Sequence, residues 1–118
     1  MSEIRADTIS DAAGTGPIAL TGQVAAKAWA RYDGDSVLAD SFNISSIVDE
    51  STTGQTAVNL SNSMSDSNYA VQGTCNGTSG DRFVTIATIT ASDFDTYAFD
   101  GATRTDLPVG TMVTGDLA

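Results

Sequence analysis

The chain has no histidine, one cysteine, two prolines, one tryptophan and five basic residues among 118. Each shortage excludes something. Without histidine there is no Ser–His–Asp or Cys–His nucleophile system, no His-ligated zinc and no use of the commonest general base. Cys75 stands alone, so no intrachain disulfide and no thiolate metal cluster can form, and it reads as a half-buried strand thiol. Five cations against fifteen anions give a formal net charge of −10. Such a surface repels phosphate backbones and anionic bilayers, so neither nucleic acid nor membrane is expected as a partner. No apolar run approaches the roughly 20 residues of a spanning helix. The opening MSEIRADTIS also lacks the apolar core of a secretory leader, so a soluble protein made in the cytoplasm is expected.

What fills the chain instead is serine and threonine, 29 residues together. These suit strands and turns better than helix interiors, where they compete for backbone hydrogen bonds or lose rotamers. With 41% hydrophobic residues the chain is globular and long enough for one domain with a modest core. Residues 1–24 differ in tone: Ile4, Ile9, Ile18 and Leu20 are scattered among Asp, Gly and Pro with no helical or alternating period. Fully extended, such a segment reaches about 80 Å. It reads as an arm whose isolated apolar residues anchor it on a neighbour.

Residues 25–118 alternate short apolar strands with turn-rich links every 8–12 residues, the pattern of a small antiparallel β-sandwich or jelly-roll-like domain. Ala28, Ala30 and Tyr32 share one face of a first strand, with Lys27, Trp29 and Arg31 on the other. Phe42 and Ile44 lie in phase and Ile47 breaks it, which predicts a bulge or a strand end. Val58 and Leu60 return on one face of a hairpin with a loop longer than two residues. Tyr69–Cys75 is a further strand, and Val109–Thr114 closes the domain. Arg82–Thr90, apolar on both phases, is expected to be a central strand covered on both sides.

Motifs for chemistry are sparse. Gly14–Ala19 formally fits G-x-G-x-x-A but has no preceding buried strand or following helix to hold a pyrophosphate, so no cofactor is expected. Asp93 and Asp95 are the nearest approach to a glycosidase pair, and Asp33 and Asp35 could offer oxygens to a cation. Both pairs read more simply as turn and strand-end residues, so neither catalysis nor metal binding is expected. Asn43, Asn59 and Asn76 match the glycosylation sequon by coincidence in a chain so rich in Ser and Thr. Among the aromatics, Trp29, Tyr32, Tyr97 and Phe99 are candidates for an oligomer interface or a sugar-binding face.

Two segments together carry a resemblance. ADTISDAAGTGPIALTGQVAAKAWARYDG is similar to the opening of many short phage virion proteins, an arm of the form DTI…AAGTGP…L before AKAW and an Asn/Asp–Gly turn. SFNISSIVDESTTGQTAVNLSNSMSDSNYAV resembles the first hairpin of the same proteins, written SFN-(V/I)-SSI-D, a glycine turn, VN-(F/L) and M-x-(D/N)-xNYAV. The likeness covers about residues 6–72, departing at Arg31 and Tyr32, where Asn and Phe are usual; residues 73–118 show no match. The family comprises small tail-fibre or decoration proteins of tailed bacteriophages. The resemblance implies a non-enzymatic virion structural protein, often a homotrimer, docked on other capsid or tail proteins by its arm. Its β-domain would face outward, toward a host surface glycan if the tip recognises one.

Overall fold

The computed structural model describes residues 25–77 and 80–118, which form nine strands and no helix. The expected arm, with Ile4, Ile9, Ile18 and Leu20, lies outside the described residues. In chain order the strands are β1 (Ala28–Tyr32), β2 (Leu38–Phe42), β3 (Ile44–Asp49), β4 (Gln55–Leu60) and β5 (Ala70–Cys75). They continue as β6 (Arg82–Ala87), β7 (Asp93–Asp100), β8 (Thr103–Arg104) and β9 (Val109–Thr114). All pairings are antiparallel. One sheet has the order β2-β1-β9-β5, and the other β3-β4-β7-β6 with β8 on the end of β7. The domain is a small all-β sandwich.

Alternation builds the core. Ala28, Ala30 and Tyr32 of β1 and Val109, Thr111 and Val113 of β9 face inward from the four-stranded sheet. Thr56, Val58 and Leu60 of β4 and Phe94, Thr96 and Ala98 of β7 face inward from the other. Complete burial of one large side chain such as Phe94 contributes about 1.5–3 kcal/mol. A polar link crosses this apolar layer: the Tyr32 hydroxyl and Thr96 Oγ1 share a hydrogen bond of 2.6 Å. Ser36 Oγ and Thr56 Oγ1 share another of 2.8 Å nearby.

The two sheets are joined by one continuous bent strand. Between β2 and β3 the backbone of Asn43 turns left-handed, with φ of 57°, a conformation asparagine tolerates better than most residues. Its side chain fixes the corner: Nδ2 donates to the carbonyls of Lys27 and Asn62, while Oδ1 accepts from the Asn62 backbone and side chain. The expected bulge is present, in the β3–β4 ladder between Ile44 and Ser46, and it returns Ile47 to the inner face opposite Val58.

On the opposite side of the sandwich β5 and β6 approach closely at Gly73. A Cβ at that position would lie inside the van der Waals envelope of Val84 Cγ1. The expected central strand Arg82–Thr90 is corrected here: β6 is an edge strand and stops at Ala87. Thr88 takes a left-handed backbone (φ 48°) and ends the ladder. Its two apolar phases have separate uses. Val84 and Ile86 pack against the core, while Phe83 points outward and stacks on Phe99.

Candidate interaction surfaces

The outer faces of the sandwich carry its exposed large side chains. On the four-stranded sheet, register places Phe42, Trp29, Met112 and Gln72 in one transverse row across β2, β1, β9 and β5. Phe42 is 57% exposed, Trp29 38% and Met112 41%, so three apolar side chains meet solvent side by side. The next row is Asp40, Arg31, Gly110 and Thr74. Where Gly110 lacks a side chain, a shallow cleft of about 320 Å³ opens between the rows, walled mainly by Trp29, Met112, Arg31 and Thr74.

The five-stranded sheet presents a different surface. Phe83 and Phe99 are cross-strand partners with parallel rings, centroids 4.9 Å apart. Such pairs are worth about 0.5–1.5 kcal/mol beyond the area they cover. Register puts Tyr97 between Thr85 and Gln55, and the Arg104 guanidinium lies 4.3 Å above the Tyr97 ring. Arg104 reaches it because β8 pairs with β7 at Phe99. Asp95 on the same face accepts from Gln55 Nε2 at 3.1 Å.

The four aromatics singled out from sequence therefore do not form one surface. Trp29 is on one outer face, and Tyr97 and Phe99 are on the other. Tyr32 is on neither: at 2% exposure it points into the core, because it shares the inward phase of Ala28 and Ala30. Burial pushes its hydroxyl up to about 12, against a smaller opposing effect of the Thr96 hydrogen bond. Sequence reasoning passed over Phe42, Phe83, Met112 and Arg104. Met112 was legible as the odd phase of VGTMVT, but Arg104 was not, since its place depends on a two-residue strand.

The remaining polar candidates are engaged locally. Asp33 Oδ1 accepts from the backbone N–H groups of Asp35 and Val37, an Asx-type turn. Asp93 accepts from Thr90 Oγ1 at 2.6 Å where β7 begins. Burial lifts the Tyr69 hydroxyl to about 12, and its proton is shared between the carbonyls of Thr90 and Asp93. Burial likewise pushes the Cys75 thiol up, away from the thiolate form that reactivity needs. Among the described residues no group of three or more metal-ligating side chains gathers, and no helix is long and apolar enough to cross a membrane. No family model, curated protein or solved structure matches the chain.

Proposed function

We propose that this chain is a non-enzymatic structural protein of a tailed-bacteriophage virion, a short fibre or decoration unit. Residues 1–24 dock it on capsid or tail proteins, and the sandwich faces outward and self-associates, as a trimer in the resembling proteins. The observation that carries the reading is the display of apolar rows on the sheet faces, Phe42–Trp29–Met112 above all. Contiguous exposed apolar side chains mark surfaces that other macromolecules cover. The resemblance supports it too, because its second segment corresponds to the bent β2–β3 strand, the β4 hairpin and the start of β5. Deleting residues 1–24 tests it: the truncated protein keeps its β circular-dichroism spectrum but no longer enters particles. Normal incorporation without those residues would overturn the docking role.

A second reading has its own observation. The stacked pair Phe83–Phe99 lies on one outer face with Tyr97, capped by Arg104, and with Gln55, Thr85 and Asp95, a mixture of aromatic and hydrogen-bonding groups that suits a host glycan. Saturable binding of host polysaccharide, lost in Tyr97→Ala and Phe83→Ala with the fold intact, would establish it. Absence of binding by the unaltered protein would remove it.

A further inference from the structure

We infer that Asn76 is a site of spontaneous covalent modification: its side chain closes on the Gly77 nitrogen, loses ammonia, and is converted by water to aspartate and isoaspartate. The inference stands apart from the virion reading and does not depend on it.

Sequence and fold single out the same residue. Asn43, Asn59, Asn62, Asn68 and Asn76 are the asparagines of the chain, and only Asn76 precedes a glycine. A side chain on the following residue shields its backbone nitrogen, and glycine has none. The side-chain amides of Asn43, Asn59, Asn62 and Asn68 are each held by a hydrogen bond. Among the described residues the Asn76 amide has no such partner, and neither has the Gly77 N–H. Both residues are exposed, where β5 ends. The Asn76 backbone is nevertheless fixed, because its N–H donates to the Pro108 carbonyl at 3.0 Å. The attacked carbon and the attacking nitrogen thus belong to neighbouring residues with no hydrogen bond to break, and closing a five-membered ring has the advantage of any oriented intramolecular reaction.

Arg82 supplies the third element. A Cβ on Gly77 would fall on the Arg82 guanidinium and its stem, so this cation lies directly against Gly77. Its Nε is held by Asp100 Oδ2 at 3.1 Å, and a guanidinium stays charged at any ordinary pH. Attack requires the Gly77 nitrogen as its anion, which an adjacent cation favours. Solvent base takes the Gly77 proton, the nitrogen bonds to Asn76 Cγ, and the Cγ–Nδ2 bond breaks. Nδ2 leaves as ammonia with a proton returned from solvent. Water then adds to either carbonyl of the succinimide ring and opens it, giving aspartate or isoaspartate.

Either product adds one negative charge to the −10 of the chain. The charge appears at the end of the four-stranded sheet where Tyr32, Val109 and Cys75 are aligned. There the new carboxylate competes with Asp100 for Arg82, and isoaspartate lengthens the backbone by a methylene just after the Pro108 anchor.

The test incubates the full chain at mildly alkaline pH and follows it by ion exchange and fragment-ion mass spectrometry. The expected result is a more acidic species that accumulates with time, with the exchange of NH2 for OH located at Asn76. The native chain should react at least as fast as the same chain unfolded in guanidinium chloride. Asn76→Gln, which would have to close a larger ring, should not form the acidic species. Arg82→Gln, folded by circular dichroism, should slow its formation about tenfold. A native chain that stays unmodified while the unfolded chain reacts would overturn the inference, as would earlier reaction at another asparagine. Equal rates in the native wild type and Arg82→Gln would overturn the part given to Arg82. Should Arg82→Gln fail to fold, the comparison of native with unfolded chain decides alone.

Discussion

Removing the Tyr32 hydroxyl probes the polar link between the two sheets. The hydroxyl lies 2.6 Å from Thr96 Oγ1, and both residues are almost wholly buried. Tyr32→Phe keeps the ring in place and strips one buried partner, so about 1–2 kcal/mol of stability is lost at neutral pH. Thr96→Val should cost a similar amount. The double variant should lose less than the two together, by about 0.5–1.5 kcal/mol, because an apolar pair leaves nothing unsatisfied. Urea denaturation of the four proteins measures this.

The pH dependence is a sharper check. Burial lifts the Tyr32 hydroxyl to about 12 from an ordinary 10. Between those values the folded protein keeps a proton that the unfolded chain releases, so stability falls as pH rises. The contribution is whole below pH 10 and lost above pH 12; a shift of that size corresponds to about 2–3 kcal/mol. Tyr32→Phe has no such loss, while Tyr69 titrates alike in both proteins. The wild-type advantage should therefore shrink, reach zero within this window and become a deficit near its top. Parallel stability curves between pH 10 and pH 12 would refute the reasoning.

Two further substitutions test the packing. Gly73→Ala forces its new methyl onto Val84 Cγ1 where β5 meets β6, so it should lower stability by about 1–3 kcal/mol; adding Val84→Ala should recover part of the loss, and thermal melts will show it. Thr111 Oγ1 is buried with no hydrogen-bond partner among the described residues, so Thr111→Val should raise stability by up to about 1 kcal/mol, seen as a higher urea midpoint.

Much of the fold was legible where a strand alternates cleanly. The inward set Ala28, Ala30 and Tyr32 followed from period two alone, as did Val58 with Leu60 and the out-of-phase Ile47. That logic should also have separated Tyr32 from Trp29 as surface candidates, since the two side chains point to opposite faces. β6 misled because apolar residues on both phases have two causes: burial of both faces, or an edge strand with an aromatic pair outside. Deciding between them requires Phe99, sixteen positions beyond Phe83, to be opposite it. The row Phe42–Trp29–Met112 was hidden for the same reason: its members come from three strands, and cross-strand register is a long-range property. The corner at Asn43 left only a weak trace, one asparagine between two apolar residues.

The ladder between β1 and β9 also brings the start of the first strand and the end of the last together. Ala28 pairs with Val113, and the Lys27 N–H donates to the Val113 carbonyl at 2.7 Å. The chain thus enters β1 and leaves β9 at the same pole. At the other end of β1 the turn after Tyr32 meets the loops around Gly54 and Asp106, where Asp106 accepts from the Gly54 N–H. A domain with adjoining ends can be spliced into a loop of another protein without stretching its host. In such a graft, the acidic turns carrying Asp33, Asp35 and Asp106 would sit farthest from the graft point. The sandwich is thus a one-socket module, and peptides meant for display belong in the turns at its far pole.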